Sequence, residues 1–306
     1  MPAVLFVFLD GVGIGIPDPE RNPFFAGPLP TLERYLGGVP SLDEPALDGS
    51  GGVSFPLEAT LGVEGLPQSG TGQYALLTGD NGSRRIGRHF GPWTPTALRS
   101  SLLESNLLTR TQSAGHAVTF ANAHPPGYRG SRWYRRPAPI PMAADHAGLM
   151  TRGIQDVAEG AGLASDLDNA RMQTVVDEPL PVITPAESGA NLARIADGHA
   201  LTLFAHYGTD VAGHRGSAAE AQRALKRVDD FLGGILATRS PGQGVLVASD
   251  HGNIESVEAG HTRNPALGIW FPPPSAANTA GDRPLPESLL DVAEWVGAYL
   301  DGAPPT

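Results

Sequence analysis

The chain has 306 residues, 41% of them hydrophobic, and a formal net charge of −11 at pH 7. This length suits one large α/β core with a smaller addition, and the negative charge argues against a nucleic-acid partner, because phosphate backbones need a basic surface. Cysteine is absent, which excludes disulfides and thiolate metal sites, so any metal ion must be held by His, Asp, Glu or Ser.

The first predicted element is a buried strand over residues 3–9, AVLFVFL. Its apolar run is too short for a membrane span and no basic region precedes it, so we expect no signal segment, no membrane partner and a cytoplasmic location. Asp10 follows the strand, where a carboxylate is well placed to bind a cation. Asp-Gly is also a frequent turn pair, so a turn residue is the alternative.

Residues 17–58 are predicted to be mostly loop, with a short helix near 31–36 that Thr31 could cap. A small, polar segment, GLPQSGTGQ at 65–73, then precedes a helical run. A hydroxyl at a helix start lies in a positive field that suits a phosphoester. Ser69 or Thr71 is therefore a candidate nucleophile. The alternative is a simple N-cap, which the same residue types favour.

Arginines dominate the next part of the chain. Lys226 is the only lysine, so anion binding has to depend on arginine. Residues 81–99 form a Gly/Pro-rich loop, followed by a predicted helix over 96–112 and a strand over 117–121. Residues 122–185 then change to a Pro-rich composition and are predicted to be a small inserted cap. Its arginines either bind an anionic substrate or belong to a solvated surface loop.

The second half alternates helices and strands. A helix at 186–198 and a strand at 201–205 lead to Asp210 and His214, which are four residues apart. That spacing on one helical turn lets both side chains reach one cation, although it is also common in surface pairs. A long amphipathic helix is predicted over 217–238.

The most informative stretch is 245–265, VLVASDHGNIESVEAGHTRNP. A buried strand ends at Asp250 and His251, and His261 follows before a further strand at 266–271 and a last helix at 286–300. Acids and imidazoles thus follow three separate strands, where open α/β sheets place their sites. The sequence predicts a three-layer α/β/α sandwich with a mostly parallel sheet. The core comprises 1–121 and 186–306, and the cap comprises 122–185.

These motifs resemble the metalloenzyme domain shared by cofactor-independent phosphoglycerate mutase, phosphopentomutase and alkaline phosphatase. The matching pieces are FLDGVG around Asp10, GLPQSGTGQ at 65–73, TDVAGH at 209–214, SDHGN at 249–253 and GHTRNP at 260–265. They occur in the order of that superfamily, and SDHGN followed by HTxNP is the specific part. The resemblance implies an alkaline-phosphatase-like fold and metal-dependent phosphoryl transfer.

The resemblance also implies roles for individual residues. Ser69 corresponds to the phosphorylated nucleophile, with two divalent ions beside it that are Mn or Zn, with Mg as a further option. One ion is assigned to Asp10, Ser69, Asp250 and His251, and the other to Asp210, His214 and His261. Weaker candidates for contacts with a small phosphorylated metabolite are Gln68, Thr71, Arg84, Arg85, Arg88, Arg132, Arg135 and Asn253.

Two features depart from the mutase pattern: Gln73 replaces a His, and no lysine is near the site. The insertion is also too small for the transferase domain of the bacterial mutase. We therefore favour hydrolysis of a small phosphomonoester through a phosphoserine at Ser69. The alternatives are a phosphomutase of a small metabolite and a catalytically idle metal-binding homologue.

Overall fold

A computed structural model of the chain describes residues 2–258, 260–276 and 283–302. In this part of the chain, six strands form one sheet in the order β2-β6-β5-β1-β4-β3. The strands are β1 (Ala3–Leu9), β2 (Val53–Leu57), β3 (Val118–Phe120), β4 (Leu201–His206), β5 (Gln243–Ser249) and β6 (Ala266–Phe271).

Strand β1 is the centre of the sheet. It pairs in parallel with both β4 and β5, so that Leu9 lies opposite His206 on one side and Ser249 on the other. This register brings the carboxyl ends of three strands to the same level. A strand with neighbours on both sides and helices over both faces must be apolar throughout, which accounts for the AVLFVFL sequence.

Thirteen α-helices are present in the described residues. They are α1 (Pro30–Leu36), α2 (Ser69–Thr78), α3 (Gly82–Ile86), α4 (Arg99–Glu104), α5 (Leu107–Ser113), α6 (Arg132–Arg135), α7 (Pro139–His146), α8 (Ile154–Ala158), α9 (Ala170–Gln173), α10 (Pro185–Ile195), α11 (Gly208–Arg215), α12 (Ala218–Thr238) and α13 (Val292–Leu300). Short 3-10 turns lie at Pro23–Phe25, Thr96–Leu98, Tyr128–Gly130 and Pro274–Ala276. No helix of the described residues is long and apolar enough to cross a membrane.

The sheet separates two hydrophobic cores. Because side chains alternate along a strand, Phe6 and Phe8 face the core that contains α2 and α13. Leu5 and Val7 face the other core, which α10 and α12 cover. The predicted three-layer α/β/α fold is thus confirmed.

The sheet is mixed rather than wholly parallel. Strand β6 runs antiparallel to β5, and β2, which was not predicted, runs antiparallel to β6 at the edge. Pro56 within β2 masked the strand signal, since proline is tolerated in a sheet mainly at its edges.

Several predicted helix boundaries were wrong. The single helix over 96–112 is divided into α4 and α5, since Asn106 begins a new helix with a capping box. Thr31 does not cap α1, because the helix begins at Pro30 with Leu29 as N-cap. The loop at 81–99 contains helix α3, and the last helix begins at Val292 instead of 286.

The predicted cap, 122–185, contains helices α6 to α9. Ala123, Val157 and Leu180 form a small hydrophobic cluster within it. Helix α7 instead contributes Ile140 to the main core beside α2. A separate cap domain stays a prediction. The segment also contacts the core through Arg152, which donates to Thr119 Oγ1 at 2.7 Å.

Candidate metal centre

The site lies at the carboxyl edge of β1, β4 and β5. Backbone contacts fix these three strand ends against one another. Thr209 Oγ1 donates to the carbonyl of Asp10 at 2.6 Å, and Ser249 Oγ accepts from the N–H of Val12 at 2.8 Å and donates to the carbonyl of His251 at 3.1 Å. Thr209 and Ser249, which precede Asp210 and Asp250, therefore help to fix the backbone from which the acidic side chains extend.

The first cluster surrounds His251. Its Nε2 lies 3.0 Å from Ser69 Oγ, 3.4 Å from Asp10 Oδ1 and 3.7 Å from Asp250 Oδ1. Asp250 and His251 are both fully buried, and Asp10 and Ser69 are nearly so. Asp10, Asp250 and His251 each offer one ligand atom, and these atoms lie within 4.8 Å of one another. The four residues assigned to one ion are brought together.

The second cluster surrounds Asp210. His261 Nε2 lies 3.5 Å from Asp210 Oδ1, His214 Nε2 lies 3.4 Å from Asp210 Oδ2, and the two imidazole nitrogens are 3.0 Å apart. Asp210 and His214 lie one turn apart on α11, as their spacing predicted. The three residues assigned to the other ion are also neighbours.

His251 connects the two clusters. Its Nε2 and donor atoms of Asp210 and His261 fall within the same 4.8 Å distance of one another, and its ring stacks on His261 at 3.9 Å between centroids. This shared position was not predicted, because sequence spacing carries no information on which way a ring faces between two groups.

Backbone carbonyls orient both stacked imidazoles. His251 Nδ1 donates to Gly252 O at 3.2 Å, and His261 Nδ1 donates to Pro67 O at 2.7 Å. A carbonyl can only accept, so in the neutral rings Nδ1 carries the proton and Nε2 presents its lone pair to the cluster. Imidazoles that bind metals are commonly fixed by such a contact on the second nitrogen.

The electrostatics of the site oppose ionisation of two of its three acids. Burial raises the pKa of Asp10, and burial together with the neighbouring Asp10 raises the pKa of Asp250 well above its usual range. Burial lowers the pKa of His251, but Asp250 and Asp10 outweigh it and raise that pKa to about 10. For Asp210, burial raises the pKa, and the contacts with His261, His251 and Asn253 bring it down to about 2. Such acids are stabilised by positive charge.

The donor set fits divalent cations. Asp10 Oδ1 is buried and has no hydrogen-bond partner within the described residues. Among these residues, no Arg or Lys pairs with Asp10, Asp210 or Asp250. Carboxylate oxygens and imidazole nitrogens without sulfur suit Mn, Zn or Mg. The residues present therefore fit the two-ion site that the motifs imply.

Ser69 and Thr71 differ in their surroundings. Ser69 is the first residue of α2, and its hydroxyl faces His251 instead of capping the helix. Thr71 Oγ1 lies against the backbone of Gln68 and Phe90. Thr71 is thus engaged in holding the 88–93 loop, whereas Ser69 is directed to the acid–imidazole cluster.

The glycines beside Ser69 allow close approach of other segments. A Cβ at position 70 would lie 2.2 Å from the carbonyl oxygen of Trp93, and one at position 72 would lie 2.7 Å from that of Asp250. No larger residue fits at these separations. The SGTG sequence therefore brings the start of α2 into contact with the end of β5.

The arginines predicted to contact substrate make contacts other than with this cluster. Arg85 pairs with Asp80 at 2.8 Å, Arg88 lies over the Phe90 ring, and Arg132 lies over the Trp133 ring. Arg84 is exposed on α3, and Arg135 donates to Gly130 O at 2.7 Å. None of them hydrogen bonds to the acid–imidazole cluster in the part of the chain described. Their role in substrate binding stays a prediction.

Polar side chains surround the acids. Asn253 and Gln68 were predicted to contact phosphate, and that role stays a prediction. Asn253 Nδ2 donates to Asp210 Oδ1 at 2.6 Å, and Gln68 lies at the N-cap of α2. Gln73 Nε2 donates to Asp250 Oδ2 at 3.4 Å, and Glu255 binds the loops around the site. Tyr207 holds a buried hydroxyl nearby. The one sequence signal for Gln73, Glu255 and Tyr207 was that each is a polar residue close to a metal-ligand motif.

Comparisons with known proteins agree with this description. Residues 190–271 match a family model described as the Metalloenzyme superfamily. The 2,3-bisphosphoglycerate-independent phosphoglycerate mutase of Cereibacter sphaeroides is 29% identical over 158 residues, which are 48% of this chain and 31% of the relative. The match therefore spans about a third of that relative's length.

Two solved structures share the fold. The PH0037 protein of Pyrococcus horikoshii has a TM-score of 0.57 at 9% identity, with 100% of this chain and 99% of that chain covered. Alkaline phosphatase of the Antarctic bacterium TAB5 has a TM-score of 0.53 at 11% identity, with 98% and 99% covered. The expected resemblance is thus confirmed at two levels: residues 190–271 match the Metalloenzyme superfamily model, and the fold is like that of alkaline phosphatase.

Proposed function

We propose that this chain, a relative of the alkaline phosphatase superfamily in fold and motifs, hydrolyses a small phosphomonoester through a phosphoserine at Ser69. One observation carries the proposal: the hydroxyl of the first residue of α2 lies 3.0 Å from His251 Nε2, inside a buried cluster of acids and imidazoles. A hydroxyl serving only as a helix cap would face its own backbone.

The two clusters would each hold one divalent ion, Mn, Zn or Mg. Asp10, Ser69, Asp250 and His251 form one set, and Asp210, His214 and His261 form the other. When bound, the ions would make the serine hydroxyl more acidic and withdraw charge from the phosphoryl oxygens.

The chain's own groups supply position and polarity. Ser69 Oγ lies 3.0 Å from His251 Nε2, so that the hydroxyl and the imidazole could share one ion. The positive end of the α2 dipole lies at Ser69, where the phosphoryl group would be placed. Burial of Asp10, Asp250 and His251 excludes water from behind the nucleophile.

The bond changes are those of double displacement. A bond forms between Ser69 Oγ and phosphorus while the bond from phosphorus to the alcohol oxygen breaks, and the alcohol leaves with a proton. Water then displaces Oγ from phosphorus, which releases inorganic phosphate and restores the serine.

A phosphomutase is the second candidate, because the sequence relative with the matching motifs is a mutase. In that case a hydroxyl of the substrate, instead of water, takes the phosphoryl group from Ser69. The match covers only about a third of the mutase, and Gln73 stands where the mutase-like pattern has a His. We therefore favour hydrolysis, with the mutase second and an idle metal-binding homologue third.

The nucleophile is tested with p-nitrophenyl phosphate in the presence of Mn or Zn. We expect Ser69→Ala to lower kcat about a thousandfold or more, as removal of a nucleophile does. Ser275→Ala is the control, since this hydroxyl belongs to neither cluster and donates to the carbonyl of Pro241, which precedes β5. Equal metal-dependent rates for wild type and Ser69→Ala would contradict the assignment.

The fate of the phosphoryl group distinguishes the three candidates. Sugar phosphates and phosphoglycerate are incubated with the enzyme and followed by phosphorus NMR. Inorganic phosphate is expected for the hydrolase, whereas isomers without free phosphate indicate the mutase. Two bound ions without turnover on a broad panel of phosphoesters would favour the idle homologue.

A further inference from the structure

Glu255 is a buried carboxylate beside the two clusters, and the proposed chemistry does not use it. Only 1% of its surface is exposed. Oε2 accepts from the backbone N–H of Gly13 at 2.9 Å and of Asn253 at 2.8 Å. Oε1 accepts from Thr262 Oγ1 at 2.5 Å and from Asn264 Nδ2 at 3.1 Å. These four donors offset the free-energy cost of burying the carboxylate.

These four donors come from the loops that carry the site. Gly13 follows Asp10, Asn253 follows His251, and Thr262 follows His261. One side chain therefore joins the end of β1 to both ends of the connection between β5 and β6.

The backbone is shaped around this side chain. A Cβ at position 13 would lie 2.5 Å from Glu255 Oε1, and a Cβ at position 252 would lie 2.4 Å from the same oxygen. Glycine at both positions lets the main chain approach the carboxylate directly. The contact is therefore a fixed part of the loops and not a surface encounter.

The restraint acts unequally on the two clusters. The peptide held by Oε2 belongs to Asn253, whose Nδ2 donates to Asp210 Oδ1 at 2.6 Å. The hydroxyl held by Oε1 belongs to Thr262, next to His261. Both Asp210 and His261 thus depend on Glu255 through one intervening contact.

The other cluster has restraints of its own. Asp250 Oδ1 accepts from the N–H of Gly11 at 3.2 Å, and Gln73 Nε2 donates to Oδ2. Ser249 and Thr209 hold the backbone of His251 and Asp10. These contacts do not involve Glu255. Glu255 reaches this cluster at the N–H of Gly13, three residues beyond Asp10, and through the Gly252–Asn253 peptide, whose carbonyl is 3.2 Å from His251 Nδ1, a longer contact than the 2.6 Å from Asn253 to Asp210.

We propose that Glu255 is a positioning residue that sets the affinity of the Asp210/His214/His261 cluster for its metal ion, with little effect on the Asp10/Asp250/His251 cluster. This inference rests on the proposed two-ion site but not on the reaction carried out there. It predicts that one of two binding events is sensitive to position 255.

The test is calorimetric titration of Mn²⁺ into the chelator-treated full chain. Wild type is expected to bind two ions. Glu255→Gln and Glu255→Ala are expected to weaken one ion by about 10- to 100-fold and to leave the other unchanged, as loss of a contact behind a metal ligand does. Glu258→Gln is the matched control, because this nearby carboxylate is exposed and pairs only with Arg21 among the described residues. It is expected to bind as wild type does.

Gln at 255 should retain more affinity than Ala. Its amide oxygen can still accept from the two backbone N–H groups, while its NH₂ meets Thr262 and a rotated Asn264 amide. Thr262→Val removes one donor on the His261 side and serves as a second arm should the variants at 255 not fold. It is expected to weaken the same ion.

Two results would overturn the inference: unchanged affinity for both ions in Glu255→Ala, or an equal loss of both ions together with lower metal-free thermal stability. If the variants at position 255 do not fold, unchanged affinity for both ions in Thr262→Val overturns the inference. Wild type that binds two ions but turns over no phosphoester refutes the proposed function and leaves this test in force. Wild type that binds no ion refutes both.

Discussion

Tyr207 has a hydroxyl that is buried and without a hydrogen-bond partner among the described residues. Burial raises its pKa well above the usual range, and the charges of Asp10, Tyr128 and Asp250 act in the same direction. Its hydroxyl is therefore close to the acids of the site and to the predicted cap. An unsatisfied buried hydroxyl costs about 1–3 kcal/mol, and proteins retain few such groups.

We expect Tyr207→Phe to be at least as stable as wild type, because no hydrogen bond within the described chain is lost. We also expect a KM for the phosphoester that is several-fold higher, since the hydroxyl is close enough to Asp10 and Asp250 for their charges to act on it. Thermal unfolding and steady-state kinetics check this. Tyr134→Phe is the comparison, because Tyr134 donates to Asp145 at 2.8 Å and should lose about 1 kcal/mol. A destabilised Tyr207→Phe with unchanged KM would contradict the prediction.

His214 is the most exposed of the proposed ligands, with 41% of its side chain accessible. We expect His214→Ala to weaken one metal ion by about tenfold or more and to leave the fold intact, because the ring contributes little buried area. Metal titration and thermal unfolding measure the two effects. His116→Ala is a suitable control, since His116 pairs with Asp301 and neither residue belongs to the two clusters. Retention of both ions at wild-type affinity would remove His214 from the set.

At the residue scale, the meeting of Asp10, Asp210 and Asp250 was predictable because each follows a strongly apolar strand, whereas His261 precedes one. Ser69 could be singled out from the resemblance, whereas its position relative to Thr71 needed the structure. Glu255 and Tyr207 were not predicted. A buried carboxylate or phenol looks like a surface residue in sequence until its partners, which lie as far as 242 residues away, are known.

Among the secondary-structure elements, helix α1 shows how a helix end can depend on a distant part of the chain. Leu29 at its N-cap has no capping side chain. Instead, Asp229 of α12 accepts from the N–H groups of Thr31 at 3.0 Å and Leu32 at 2.9 Å. A carboxylate from another helix therefore takes the place of the local cap that the sequence suggested at Thr31.

We expect Asp229→Ala to lower the free energy of unfolding by about 2 kcal/mol, because it leaves two buried N–H groups without acceptors. Chemical denaturation measures this change. Asp230→Ala is the matched control, since Asp230 is partly exposed and pairs with Lys226 one turn away; an exposed pair of this kind contributes about 0.5 kcal/mol. Equal effects at both positions would contradict the capping role.

The connection between β5 and β6 is the element that contributes most to the site. It carries Asp250, His251 and His261, and its two strands are antiparallel neighbours. The apolar runs on either side predicted both strands. Their relative direction was not predictable from periodicity, because the same alternation of buried residues occurs in parallel and antiparallel pairs.

For the whole molecule, the fold followed from alternation of apolar strands with amphipathic helices, which favours an α/β sandwich. The mixed edge of the sheet was missed, since β2 is short and contains proline. The boundary of the cap was read from composition alone, and composition does not report that α7 packs into the main core.

Metal removal should destabilise the whole domain. The clusters place three carboxylates close together in a buried site, and bound cations would relieve their repulsion. An ion at 100 times its Kd adds about 2.7 kcal/mol, so we expect Mn²⁺ to raise Tm by roughly 5 °C over a chelator-treated sample. Thermal unfolding with and without Mn²⁺ tests this. Asp10→Asn should show a much smaller shift, and an equal shift in that variant would contradict binding at this site.

The central place of β1 in the sheet has a consequence for how the protein is made. Its partners begin at residues 201 and 243, so β1 leaves the ribosome long before either of its neighbours is made. Until then AVLFVFL is an exposed apolar segment of the kind that aggregates or recruits chaperones. The proposed ligands span residues 10 to 261. Each cluster would therefore be able to hold its ion only after the last parallel strand has docked. Metal capture would thus mark the completion of folding.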